Sequence, residues 1–321
     1  MESVAKMKDK IVVITGANSG IGKAAAIKFA AEGHRVVMAC RNLAISKPVQ
    51  EEIMASAGSQ SIDLLELDIS SFGSIRKFCE AFKAKYDKLD ILIHNAAFLS
   101  HGEKEYRLSP ERVELSFATN AFGPLYMTEL LAGWLEKSED ARVLNACTTN
   151  IKNFFDPKRT IEYDNLRGEY QTTRRYSSYK MYGDSKMAFL MLTFKMAEQW
   201  REKGIHVNAI QINRVKLSKE TIAKMSSYWK ALAWAQNLTN PHPSAMADNY
   251  YYICTSDQYR NVTGQLINHM REIVQPAPSE QGLDQLKNIF GSAYYPRYAI
   301  DRTNVDKVWG MGQELISAHS S

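Results

Sequence analysis

Short apolar runs rich in β-branched residues alternate with longer helix-forming stretches through the first two-thirds of the chain. The runs at 11–15 (IVVIT), 35–40, 62–69, 89–96, 142–148 and 206–212 read as strands, with a late seventh at 264–269. Stretches such as 23–32, 74–86, 109–136 and 178–203 read as helices. Strands that are apolar almost throughout, with helices between them, predict a parallel sheet covered on both faces. Right-handed crossovers then give a doubly wound α/β sheet of about seven mostly parallel strands.

Two stretches leave that rhythm. Residues 150–178 are polar and aromatic with mixed charge, which predicts a loop inserted over the sheet edge. The tail from Pro276 onward reads as an extension with one or two helices. Neither has a core pattern of its own, so the chain reads as one domain over 1–275 with an extension, 276–321, packed on it. A hydrophobic fraction of 45% and a charged fraction of 23% are those of a globular protein and exclude a disordered or collagen-like chain. The net charge of +5 is spread along the sequence, which suits an anionic cofactor and does not argue for nucleic acid. Cys40, Cys79, Cys147 and Cys254 lie far apart, so no metal site and no disulfide framework is signalled. The first apolar run is too short for a signal sequence, and none reaches 18 uninterrupted apolar residues. The expectation is a cytoplasmic protein with no membrane span.

The first strand runs into Thr15-Gly16-Ala17-Asn18-Ser19-Gly20-Ile21-Gly22 and then a strongly helix-forming stretch. Glycines let a backbone turn tightly against a pyrophosphate, and the helix N-terminus offers free N–H groups and the positive end of its dipole. Between a strand and a helix, this pattern predicts dinucleotide binding on a Rossmann-type sheet. The second strand ends Cys40-Arg41-Asn42 with no acidic residue for a ribose 2′-hydroxyl. Arg41 therefore predicts NADP(H), its 2′-phosphate held by Arg41 with Lys23 as an assistant. Asp68 ends the third strand and can accept from the adenine amino group or cap a helix.

Tyr182 and Lys186 stand four residues apart in YGDSK, on one face of a helix. An ammonium beside a phenol favours the phenolate and lowers a pKa that is ordinarily near 10. With TGANSGIG at 15–22, Asp68, HNAA at 94–97, Asn120, RVLNACT, YGDSK and VNAIQIN at 207–213, the chain resembles the short-chain dehydrogenase/reductase family over roughly residues 8–270. ACRN at 39–42 and EYDNL before the tyrosine are similar to its retinol dehydrogenase and protochlorophyllide reductase branch. The resemblance implies hydride transfer between a nicotinamide and a carbonyl or alcohol carbon, with Tyr182 as general acid/base. It also implies that Lys186 binds the nicotinamide ribose and that Asn120 holds a water in a proton relay. The implied cofactor contacts are Gly16, Asn18, Ser19, Gly20, Ile21, Gly22, Arg41, Asn42, Asp68, Ile69, Asn95, Ala96, Lys186, Asn213 and Val215.

Four places depart from the family's pattern. Thr148 stands where the family has its substrate-orienting serine and still supplies a hydroxyl. Ile212-Asn213 replaces Pro-Gly, and Leu217 replaces a threonine. His94 replaces an asparagine, which reads as a packed strand-end residue. The segment 217–243, with Met225, Tyr228, Trp229, Leu232 and Trp234, reads as a lid suited to a hydrophobic small molecule, or as the buried face of a helix. Phe154, Phe155 and Tyr163 of the inserted loop offer a second wall. The helix after Tyr182 is apolar on more than one face, which fits a sheet on one side and a second subunit on the other, since family members commonly dimerise there. The competing reading is a dinucleotide-binding sensor or scaffold without efficient turnover, motivated by the altered serine and Pro-Gly positions.

Overall fold

The computed structural model describes residues 9–99, 103–218, 222–223 and 227–319. The chain runs β1 (Ile11–Thr15), α1 (Gly20–Ala31), β2 (Arg35–Cys40), α2 (Leu43–Ala57), β3 (Ile62–Glu66), α3 (Phe72–Lys85), β4 (Ile91–His94), α4 (Leu115–Phe117), α5 (Gly123–Leu135), β5 (Ala141–Thr148) and α6 (Ser178–Gln199). It continues through β6 (Ile205–Ile212), α7 (Ser227–Asn237), α8 (Pro243–Thr255), β7 (Leu266–Ile267), β8 (Ile273–Pro276), α9 (Gly282–Phe290), β9 (Tyr294–Tyr295) and α10 (Arg302–Ala318).

The strands form one sheet in the order β3-β2-β1-β4-β5-β6-β7-β8-β9. The pairings from β3 to β7 are all parallel, whereas β8 runs antiparallel to β7. The strand count is nine rather than about seven because the tail adds β8 and β9, edge strands of four and two residues with no apolar run to betray them. The apolar strands bury both faces, one under α3, α5 and α6 and the other under α1 and α8. Strand order reverses between β1 and β4, which opens a crevice at their carboxyl ends.

The second apolar face of α6 packs against the chain's own α10. A Cβ on Gly312 of α10 would lie 2.6 Å from Leu125 Cδ2 of α5, and ion pairs Lys195–Asp306 (3.2 Å) and Arg302–Glu198 (2.9 Å) tie α10 to α6. The ground for inferring a dimer through this face is therefore removed.

The inserted loop is also taken up internally. Phe154 and Phe155 are buried, with the Phe154 ring 4.9 Å from that of Tyr298, and Tyr163 Oη donates to Asn304 Oδ1 at 3.4 Å. These aromatics anchor the tail and do not form a substrate wall. In the lid segment α7 is stitched at its end, where Asn237 and Leu217 exchange two hydrogen bonds of 2.8 Å. Trp234 is exposed; Met225 and the side chains of Tyr228, Trp229 and Leu232 lie outside the described residues. Among the described residues no helix is long and apolar enough to cross a membrane.

Candidate active site

The glycine turn at the β1–β4 crevice is held by its neighbours. Gly16 (φ +65°) and Gly20 (φ +54°) adopt left-handed backbone that favours glycine. A Cβ on Gly22 would lie 2.4 Å from the Gly16 carbonyl oxygen and 2.5 Å from Asn95 Nδ2, so no side chain fits there. The Thr15 hydroxyl accepts from the backbone N–H groups of Asn95 and Ala96, both at 2.9 Å. Asn95 Nδ2 donates to the Thr15 carbonyl (3.0 Å), while its Oδ1 accepts from the Tyr250 hydroxyl (3.2 Å). Asn95 thus locks the turn onto β4 and has its side chain committed inside the protein. Ser19 precedes α1 without capping it, which leaves the first-turn N–H groups facing outward, and Asn18 braces the turn through Ser46 (3.0 Å). An uncapped helix end, glycine backbone without Cβ atoms and exposed Ser19 and Gly20 fit a pyrophosphate.

Past β2, Arg41 is exposed and makes no hydrogen bond or ion pair among the described residues. Asn42 caps α2 by accepting from Ile45 N at 3.2 Å. Lys23 is paired with Glu52 at 2.6 Å, which weakens its claim to assist Arg41. Asp68 Oδ1 accepts from the Ser70 N–H (3.0 Å) and hydroxyl (2.6 Å), so it shapes the turn ahead of α3, whose cap is Ser71. The Ile69 side chain is buried in the core.

Thr148, Tyr182, Lys186 and Asn120 come together where β5 meets α6. The Thr148 hydroxyl stands near enough to the Tyr182 phenol to pull its pKa down, and its Oγ1 accepts from Asn150 N at 3.3 Å. Burial pushes the Tyr182 phenol up to about 12, against the pull of Thr148. Lys186 is buried, its Nζ donates to the Ala146 carbonyl at 2.7 Å, and burial draws it down to about 8. The expected lowering of the Tyr182 pKa by Lys186 is not found: burial raises the phenol, and Thr148 is what pulls against it. Asn120 sits in a π turn, Ala118–Phe122, between α4 and α5. Its Oδ1 accepts from Phe98 N (2.8 Å), and its Nδ2 donates to the Phe98 carbonyl (3.1 Å) and to Ser185 Oγ (3.0 Å). The side chain is committed to protein groups, so Asn120 braces α6 against the loop after β4 rather than offering its amide to water. His94 Nε2 meets Thr128 Oγ1 at 2.8 Å, and burial, with the Lys186 charge adding to it, holds the ring down at about 3. It is a neutral packed residue.

Asn213 and Val215 line a cavity of about 620 Å³ together with Thr149, Arg214, Met246 and His269. Sequence reasoning missed several members of this region. Ser185 and Asp184 were visible inside YGDSK, but their partners Asn120 and Arg159 come from 65 and 25 residues away. Tyr250 carried no motif signal at all. Among the described residues no cluster could hold a metal ion.

Residues 10–155 match the family described as short chain dehydrogenase, and residues 168–269 that described as Enoyl-(Acyl carrier protein) reductase. Retinol dehydrogenase 12 of Mus musculus is 35% identical over 225 residues, 70% of this chain and 66% of that protein. Retinol dehydrogenase 13 of Homo sapiens is 25% identical over 289 residues, 88% of this chain and 82% of that protein. A solved short chain dehydrogenase from Salmonella enterica aligns with a TM-score of 0.63 at 20% identity, over 84% of this chain and 99% of its own. A structure from Escherichia coli complexed with NADPH aligns with a TM-score of 0.62 at 19% identity, over 84% and 99%. Likeness at that identity bears on the fold alone.

Proposed function

The chain belongs to the short-chain dehydrogenase family, on its retinol dehydrogenase branch, and from that membership of a family of NAD(P)-dependent oxidoreductases we propose that it is an NADP(H)-dependent reductase of hydrophobic carbonyl compounds. The observation that carries the reading is the pull of the Thr148 hydroxyl on the buried Tyr182 phenol at the carboxyl end of β5, on the same sheet whose first strand feeds the glycine turn. The turn from Gly16 to Gly22 holds the pyrophosphate, Arg41 takes the 2′-phosphate, and Asp68 and Ile69 border the adenine. Asn213 and Val215 border the nicotinamide, and Lys186 reaches its ribose. Bound there, the dinucleotide supplies the hydride.

Thr148 orients the carbonyl oxygen by hydrogen bond, and Tyr182 gives that oxygen its proton as the carbonyl carbon is reduced. A phenol pushed up to about 12 is protonated at neutral pH, the form from which carbonyl reduction starts. The Lys186 ammonium then stabilises the phenolate left behind. A hydrophobic substrate is supported by Val215, Pro241, Ala245 and Met246 in the cavity wall. It is also supported by Leu283, Leu286 and Phe290, which stand exposed on α9; Gln285 of the same helix donates to the Phe155 carbonyl (2.7 Å) in the turn that follows Thr148. The name retinol dehydrogenase, borne by the relatives, agrees with an apolar substrate.

Titration with NADPH and NADH, followed by nicotinamide fluorescence and calorimetry, tests the cofactor. NADPH consumption with retinal and medium-chain aldehydes tests the reaction. Tyr182→Phe is expected to keep NADPH affinity and lose turnover. Binding without turnover of any carbonyl would put a dinucleotide sensor in its place, and failure to bind either dinucleotide would overturn the reading altogether.

A further inference from the structure

Asp184 lies between Tyr182 and Lys186 on α6 and is buried, with 1% of its surface exposed. Arg159 of the inserted segment reaches it, Nη2 to Oδ1 at 2.6 Å, and the same nitrogen donates to the Lys180 carbonyl at 3.1 Å. Asp184 Oδ2 accepts from Lys180 Nζ at 2.9 Å, and Lys180 in turn pairs with Glu162 of the insert at 3.2 Å. Gly183 lies beside the guanidinium, since a Cβ there would meet Nη2 at an ordinary contact distance of 3.4 Å. The guanidinium sits 5.3 Å from the ring of Phe154, which is buried and anchors the insert against Tyr298.

The pair is a poor device for stability. Burial raises the Asp184 carboxyl from 3.8 to about 6 although Arg159 and Lys180 both pull it down, with Glu162 opposing them. Folding therefore favours the protonated form, and ionising Asp184 as pH rises through about 6 weakens the fold. Well-packed apolar residues often do as well or better than a buried ion pair. What the pair does supply is fixed geometry about half a helical turn from the Tyr182 phenol. Tyr182 stands only one turn into α6, where the first N–H groups lack helical partners. That turn is gripped on one side by Asn120 through Ser185 Oγ, which itself donates to the Tyr182 carbonyl at 2.8 Å. Arg159 grips the other side.

We propose that the Arg159–Asp184 pair is a positioning clamp by which the inserted segment sets Tyr182 against Thr148 and Lys186. The proposal rests on the reading of Tyr182 as the proton donor. The clamp makes the insert part of the catalytic apparatus, although none of its residues touches the reacting atoms.

The test uses the full chain saturated with NADPH and the variants Arg159→Gln, Asp184→Asn and Arg159→Lys. Amide hydrogen exchange is read over residues 178–187, with α1 as the internal reference, and kcat and KM are read from NADPH consumption with hexanal. The two neutralising variants are expected to speed exchange over 178–187 by about 10-fold or more with α1 unchanged. They should also lower kcat about 10-fold or more while KM for hexanal and Kd for NADPH move by less than about 3-fold, the pattern of a misplaced catalytic group. Arg159→Lys is expected to recover part of both. Unchanged exchange over 178–187 would overturn the clamp, and so would faster exchange with kcat intact. If the single variants loosen the whole sheet, the double variant Arg159→Met/Asp184→Leu, which strands no charge, repeats the measurement with the same two outcomes. A wild type that binds NADPH but reduces no aldehyde defeats the oxidoreductase reading, and the exchange result still decides whether the insert positions α6.

Discussion

Arg41→Ala isolates the contribution of a single side chain to the choice of dinucleotide. Arg41 is exposed and, among the described residues, free of hydrogen bonds and ion pairs, so its removal strands no partner and costs the fold less than about 0.5 kcal/mol. A charge-assisted hydrogen bond to a phosphate contributes roughly 1.5–3 kcal/mol, which is about 10- to 150-fold in affinity. NADPH binding is therefore expected to weaken by about that factor while NADH, lacking the 2′-phosphate, moves by less than about 3-fold. Lys23 gives the contrast, because it already spends its charge on Glu52 at 2.6 Å. Lys23→Ala should weaken NADPH by less than about 5-fold, within the small worth of an exposed charge. Kd values come from nicotinamide fluorescence at two ionic strengths, and the loss in Arg41→Ala should carry away part of the salt dependence. Equal losses for NADPH and NADH, or an unchanged NADPH affinity, would refute the assignment.

Three further outcomes are expected. Gly22→Ala places a Cβ 2.4 Å from the Gly16 carbonyl, a backbone atom that cannot swing aside, and should weaken NADPH binding by about 100-fold or more together with a lower melting temperature. His94 and His34 are held down at about 3 and about 4, so the native state takes up protons later than the unfolded chain and stability falls as pH drops below about 6.5. Near pH 5 each costs about 2 kcal/mol, and His94→Asn should flatten the acid limb of the melting temperature by about half. Gly312→Val drives a branched side chain into Leu125, with Cβ starting 2.6 Å from its Cδ2; it should cost about 1–3 kcal/mol and, by lifting α10 from α5 and α6, raise the apparent mass in light scattering.

How much of this was legible in the sequence follows from the range of each interaction. The strands, the glycine turn and the Tyr182–Lys186 spacing are local patterns, and the structure places them together at the β1–β4 and β5–α6 junctions. What escaped depends on partners distant in the chain. Asn95 looked like a cofactor contact, yet its amide is absorbed by Thr15 and Tyr250, the latter 155 residues away. Apolarity on two faces of α6 reports that both faces are covered but carries no mark of what covers them; α10 has the same chemistry as a second subunit would. Phe154 and Phe155 show the same ambiguity, since an aromatic pair serves a substrate wall or a docked tail equally well until the tail is placed.

The two departures at the site, Thr148 for serine and the Ile212-Asn213 turn, act on different parts of the chemistry. Thr148 keeps the hydroxyl that the serine would supply, and that hydroxyl acts on the Tyr182 phenol. The altered turn lies elsewhere, where Asn213 and Val215 line the cavity with Thr149 and Met246 and Tyr182 is not among its walls. On the proposed reading a change there bears on how the dinucleotide seats and not on the phenol. Burial has meanwhile moved the two titrating groups apart, the phenol up to about 12 and the ammonium down to about 8. Forming a phenolate in that pocket is costly, because burial disfavours its charge. The same burial drives both groups toward their neutral forms, the phenol holding its proton and the ammonium giving one up more readily.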